Sequence, residues 1–133
     1  MQEGQEPKYL NSPESAIYDK SKVLYGLDHL KQGIKDYKAI VVVEGYFDVI
    51  AMTAAGVDIA VATCGTSLTD SHITTLKRYH DHIYFLFDND SAGVQATLRG
   101  LGIAYSQSSY PKIISLPSPH KDIDDLVRTN DQA

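Results

Sequence analysis

Six acidic residues fall into three close pairs: Glu44 and Asp48, Asp88 and Asp90, Asp122 and Asp124. The first pair begins where the apolar run Ile40, Val41, Val42, Val43 stops at Glu44-Gly45. The second begins where His82-Ile83-Tyr84-Phe85-Leu86-Phe87 stops at Asp88-Asn89-Asp90. The third follows the apolar run within residues 111–116 by way of Pro117-Ser118-Pro119-His120. Carboxylates a few ångströms apart repel by roughly 4 kcal/mol per pair at an effective dielectric of about 20. A chain that gathers several of them needs metal, protons or basic partners there. Oxygen-only ligands suit a hard divalent cation, Mg²⁺ or Mn²⁺, which keeps several waters and shares its coordination with substrate phosphates. The chemistry this suits is phosphoryl or nucleotidyl transfer.

The elements that must position these acids are legible from periodicity. Continuous β-branched and aromatic runs at 40–43 and 82–87 read as strands covered on both faces, as in a parallel sheet. Further strands are expected at 58–62 and 111–116. Helices are expected at 21–37, with Ser21 as a possible N-cap, at 46–55 ended by Gly56, at 70–79 capped by Thr69, and at 91–104. Alternating strands and helices imply an α/β fold, a small parallel sheet flanked by helices with right-handed crossovers. Each acidic pair then sits at a strand's carboxyl end, the edge where open α/β sheets bind ligands. Gly45 permits a tight turn beside Glu44. Asp48 lies one helical turn past Glu44, so both are expected to face one crevice. The loop at 64–69 joins a strand end to a helix start, and backbone N–H groups near Gly65 and Thr66 can face an anion.

Composition limits the alternatives. The chain has 133 residues, 43% of them hydrophobic, which suits one domain with a real core. Its net charge of −5, from 17 acidic and 12 basic residues, argues against gripping nucleic acid by bulk charge. The single cysteine, Cys64, permits no internal disulfide and no Cys-rich zinc site, and is expected as a small buried residue. His72, His80 and His82 match no zinc-ligand spacing, so surface or capping roles are expected. Arg99 is expected on the outer face of its helix. No apolar run approaches a membrane span and no signal peptide is visible, so a cytoplasmic location is expected.

The ordered set Glu44-Gly45-Tyr46-x-Asp48, Gly65-Thr66-Ser67-Leu68-Thr69, then Asp88-x-Asp90-x-Ala92-Gly93 resembles the TOPRIM domain, a Rossmann-like fold, in the version carried by bacterial DnaG-type primases. Residues 7–14 (PKYLNSPE) and 24–27 (LYGL) resemble the primase stretch that precedes it, so the resemblance runs from Pro7 to about Val127. Residues 122–124 resemble the third acidic motif, with Ile123 where the family has proline. Asn89 likewise stands where glycine is common, and neither change removes a carboxylate. The resemblance divides the chain into a helical segment of the primase polymerase core at 1–37 and the TOPRIM domain at 38–130.

What the resemblance implies is RNA primer synthesis from ribonucleoside triphosphates on a single-stranded DNA template during replication. Glu44, Asp88 and Asp90 would be catalytic, with Glu44 as acid-base group or metal ligand. Asp48, Asp88, Asp90, Asp122 and Asp124 would complete the metal set with Glu44. Lys8, Asn11, Lys20 and Lys22 would lie near the nucleic acid or nucleotide, with Gly65 and Thr66. Family members carry a zinc-binding domain and more polymerase domain upstream, and a helicase-binding domain downstream. The chain therefore reads as an excised fragment or stand-alone relative, with weak or no polymerisation alone, the replicative helicase reached through a domain absent here, and a bacterial, nucleoid-associated setting. The alternatives are TOPRIM strand cleavage, as in nucleases and topoisomerases, and a non-catalytic metal- or partner-binding module. The primase-like leader disfavours the first and the complete acidic set disfavours the second.

Overall fold

In a computed structural model of the protein, the described residues are 22–63, 65–120 and 122–131. The elements alternate as the periodicity requires: α1 (Leu27–Tyr37), β1 (Ile40–Val43), α2 (Tyr46–Ala54), β2 (Ala60–Ala62), α3 (Asp70–Lys77), β3 (His82–Phe85), α4 (Ser91–Ser106), β4 (Tyr110–Ile113) and α5 (Ile123–Asp131). The strands form one sheet in the order β2-β1-β3-β4, and every neighbouring pair is parallel. All of β1 is buried, as its unbroken β-branched run demands. α2 packs with α5 and α3 with α4, so each face of the sheet is covered. Among the described residues no helix is long and apolar enough to cross a membrane.

The connection from β1 leads outward to β2, and the chain then returns past β1 to lay down β3 on its other side. The sequence order thus reverses between β1 and β3. Such a switch point opens a crevice at the strands' carboxyl ends, because the flanking helices depart to opposite faces. The ladder continues past the formal strand ends: Leu86 N–H donates to Val42 O at 2.9 Å, and Ile114 N–H to Phe85 O at 2.9 Å.

Several boundaries differ from those expected. The helix expected from residue 21 begins at Leu27, and Ser21 lies outside the described residues. Residues 22–26 instead run along the sheet edge, where Tyr25 exchanges both backbone hydrogen bonds with Ala62, at 2.9 and 3.0 Å. The open edge of β2 outcompetes an extra helical turn, and Gly26, at φ 99°, makes the bend between the two. β3 and β4 end two and three residues earlier than expected. Pro111 pairs within β4, which is tolerated because β4 is an edge strand. α5, not assigned from periodicity, begins directly after Asp122.

Thr69 caps α3 as expected. Its hydroxyl accepts from His72 N–H at 3.2 Å, and His72 Nδ1 accepts from Thr69 N–H at 3.0 Å. His72 is therefore a capping residue, and it is fully buried rather than on the surface. α4 lies against β3 through Gly100, where an added Cβ would meet the buried Phe85 ring at 2.8 Å. Gly102, two residues on, has open space. The two glycines should respond with opposite sign. Gly100→Ala is expected to destabilise by about 1–3 kcal/mol through overpacking. Gly102→Ala should stabilise by roughly 0.5–1 kcal/mol through helix propensity. Urea denaturation of the two variants checks both.

Candidate functional site

At the switch point the sheet ladder has run out, and the Asp88 amide must find an acceptor that is not a strand. It donates to Glu44 Oε1 at 3.2 Å, joining the ends of β1 and β3. Both side chains are half-buried. Burial is the largest cause that pushes Glu44 up to about 7 from its ordinary 4.5, followed by the neighbouring Asp88 carboxylate. Asp88 is raised as well, first by burial and then by the charges of Asp122 and Asp90, while its bond with Glu44 opposes the shift. The pair holds one proton more readily than two isolated carboxylates would.

Two cavities flank this pair. One, of about 520 Å³, is lined by Asp88, Asn89, Asp90, Leu116, His120 and Asp122, with Ser118 and Pro119 at its edge. Asp90 sits at its rim as the N-cap of α4, with Oδ1 accepting from Gly93 N–H at 2.7 Å. Asp122 does the same for α5, accepting from Asp125 N–H at 2.8 Å. The second cavity, of about 320 Å³, lies between Glu44, Thr63, residues 65–68, and the α4 residues Ala92, Ala96 and Arg99.

The expected site residues separate under this geometry. Asp88, Asp90 and Asp122 share one cavity, and Glu44 is tied to Asp88 from the next. Gly65 and Thr66 line the second cavity, so the loop does reach the strand ends. Asp48 lines neither cavity. The one-turn spacing from Glu44 does not operate, because Glu44 and Gly45 precede α2 and Gly45 is extended, at φ −138° and ψ 171°. Lys22 is exposed and lines neither cavity. Lys8, Asn11, Lys20 and Cys64 lie outside the described residues, as does the side chain of Asp124 on α5.

Among the described residues no three acidic, histidine or cysteine groups are gathered tightly enough to hold an ion as they stand. The donor set nonetheless fits a hydrated hard cation. It offers carboxylate oxygens from Asp88, Asp90 and Asp122 around an open cavity, and Mg²⁺ needs only one or two of them beside its waters.

The sequence model of the Toprim-like family matches residues 41–127, which include both cavities' acids. The chain belongs to the Toprim-like family. A second family model, the N-terminal domain of the DNA primase catalytic core, matches residues 1–31. Among curated proteins, a DNA primase of Synechococcus elongatus is 43% identical over 98% of this chain and 20% of its own length. One from Staphylococcus aureus is 45% identical over 86% of this chain and 19% of its own length. The chain thus spans about a fifth of these relatives. Among solved structures, the Aquifex aeolicus primase zinc-binding and RNA polymerase domains superpose with a TM-score of 0.86 at 32% identity, over 97% of this chain and 32% of that one. A DNA primase domain from Pseudomonas aeruginosa gives 0.84 at 41% identity, over 95% and 40%. The DnaG primase catalytic domain bound to ssDNA gives 0.82 at 38% identity, over 95% and 41%. The expected kinship with the Toprim domain of DnaG-type primases is thereby established.

Sequence reasoning missed three side chains at this Toprim edge. His120 faces the acidic cavity and lies 3.3 Å from Asp125. Ser67 and Arg99 face the second cavity and bond each other at 2.8 Å. Arg99 is exposed, as expected, but it reaches across to the turn. Its position one residue before Gly100, which seats α4 on β3, was the available signal.

The raised Glu44 carries a pH signature. Between its ordinary 4.5 and its folded value of about 7, the folded chain holds a proton that the unfolded chain has released. Stability therefore falls as pH rises through that window. Screening of this half-buried group limits the effect to about a few degrees in Tm. Glu44→Gln should flatten the Tm profile between those pH values relative to the wild type in chelator, as read by thermal unfolding.

Proposed function

We propose that this chain is the Toprim part of a DNA primase catalytic core, acting in divalent-metal-dependent nucleotidyl transfer that makes RNA primers on single-stranded DNA. The observation that carries the reading is the Glu44–Asp88 bond across the switch point, with Asp90 and Asp122 around the adjoining cavity. The primase N-terminal match at residues 1–31, ahead of the Toprim match, supports primer synthesis over Toprim strand cleavage. It also supports the division into a polymerase-core segment at 1–37 and a Toprim domain at 38–130.

In this reading Asp88, Asp90 and Asp122 hold Mg²⁺ or Mn²⁺, with Asp124 and Asp48 as further members of the set. The cation, when bound, neutralises the triphosphate and stabilises the departing pyrophosphate. Asp90 and Asp122 enter with one oxygen each already fixed by a helix amide, so their remaining oxygens are held in place. Glu44 can take the proton of the attacking 3′-hydroxyl, because burial and Asp88 bring its acidity near neutral pH. Lys8, Asn11, Lys20, Lys22, Gly65 and Thr66 line the path of template, primer and incoming ribonucleotide. The replicative helicase is engaged by polypeptide outside this chain, and the setting is the bacterial cytoplasm at the nucleoid.

A Mn²⁺ titration followed by amide line-broadening tests the metal centre. Selective broadening at Asp88, Asp90 and Asp122, abolished in the Asp88→Asn/Asp90→Asn variant, is expected. No saturable broadening at millimolar Mn²⁺ would sink the metal reading. In a full-length primase carrying this segment, Glu44→Gln should lower kcat for primer synthesis by roughly 10²–10⁴-fold. KM for the nucleotide should change little.

A further inference from the structure

The second cavity holds a cation that the acidic chemistry does not explain. Arg99 comes from the third turn of α4 in a chain of net charge −5. Among the described residues its polar partner is the hydroxyl of Ser67, at 2.8 Å, and not a carboxylate. A guanidinium offers five donors in a planar fork, and one nitrogen on a serine leaves most of them available.

The walls around Arg99 suit a small anion. Ala92 and Ala96 have only methyl side chains, so Arg99 is the one long side chain that α4 contributes to the lining. The opposite wall is Thr63 and the turn at residues 65–68. It is braced by Thr63 Oγ1 donating to Thr66 O at 2.8 Å, and Gly65 bends it at φ 91°. Within that turn Thr66 Oγ1 is buried with no hydrogen-bond partner among the described residues. An unmade bond of this kind marks a polar group that the described residues do not satisfy. Glu44 also faces this cavity, but its Oε1 is directed across the strand ends to the Asp88 amide.

We infer that the cavity between Thr63, residues 65–68 and α4 is an anion subsite, in which the Arg99 guanidinium takes a phosphate oxygen of a nucleotide or of a nucleic-acid strand. Ser67 is the positioning residue that holds the guanidinium over the cavity. Glu44 lines this cavity and Asp88 the acidic one, and their bond links the two, so one phosphate can rest on Arg99 while another faces the carboxylates. Phosphate as the anion rests on the primase reading, whereas the subsite itself rests on the cavity and its cation.

The test is an amide and arginine side-chain NMR titration of the whole chain in chelator, with pyrophosphate, ATP and a short single-stranded oligodeoxynucleotide as separate probes. Saturable shifts at Gly65, Ser67, Ala96 and the Arg99 side chain are expected with at least one probe. Arg99→Gln should weaken them by roughly tenfold, the loss of one charge-assisted contact. Arg99→Lys should restore part of the affinity. Ser67→Ala, which keeps the cation, should weaken binding less than Arg99→Gln. Response to ATP and pyrophosphate alone assigns the subsite to free nucleotide, and response to the oligonucleotide alone assigns it to a strand. No shifts with any probe, shifts indifferent to Arg99→Gln, or equal losses in Arg99→Gln and Ser67→Ala would overturn the inference. The Mn²⁺ broadening at Asp88, repeated in Arg99→Gln, reports separately on the metal reading, so either can fail without the other.

Discussion

The Asp88 amide lies past the end of β3, where no strand remains to accept its hydrogen, and the Glu44 carboxylate takes it. That bond constrains everything around it. It closes the sheet at the switch point, and it pins Glu44 across the gap between β1 and β3. The helix behind must then come very close. A Cβ on Gly93 would sit 2.0 Å from Asp88 O, so only glycine lets the first turn of α4 approach. The same approach brings Gly93 N–H onto Asp90 Oδ1, so the helix start and the second acid of the pair are set together.

α4 is the element that both cavities share. Its N-cap, Asp90, borders the acidic cavity, while Ala92, Ala96 and Arg99 form a wall of the other. Its far end is anchored independently of the site. Gln107 accepts from Thr74 Oγ1 at 2.9 Å and donates to Asp70 O at 2.8 Å, while Lys77 bonds the Gln107 carbonyl. A helix fixed at one end by α3 and at the other by Asp88 cannot slide without breaking one of them. Arg99 and Asp90 are therefore kept at a set spacing along one helix, each lining a different cavity.

What could be read from the chain followed physical locality. β1 was visible because burial on both faces demands an unbroken β-branched run. The Thr69 cap was visible because it needs only residues three apart. The start of α1 was not, because it is decided by Tyr25 pairing with Ala62, thirty-seven residues away and invisible to any helical period. The expected alignment of Asp48 with Glu44 fails for a related reason. The helical spacing was applied across Gly45, whose extended backbone breaks it. The acids themselves were legible because they sit where strands end. Their neighbours Arg99, Ser67 and His120 were not, because those contacts form only when the turn, α4 and the 117–120 segment converge.

Capping explains how such an acidic edge folds despite its own repulsion. A bare cluster of carboxylates opposes its own formation. Here Asp90 and Asp122 each satisfy a helix amide that would otherwise be orphaned, a contact worth about 1 kcal/mol for a typical cap. Each also places its charge at the positive end of a helix. Glu44 and Asp88 meet the same problem differently, since burial and neighbouring carboxylate charge weaken both as acids and let a proton relieve part of the repulsion. The edge is thus assembled before any ligand arrives, at low cost to the fold. Asp90 and Asp122 therefore keep one carboxylate oxygen each fixed by a helix amide, and their geometry is set by the fold. The same contacts that stabilise α4 and α5 thus fix the arrangement of the acids.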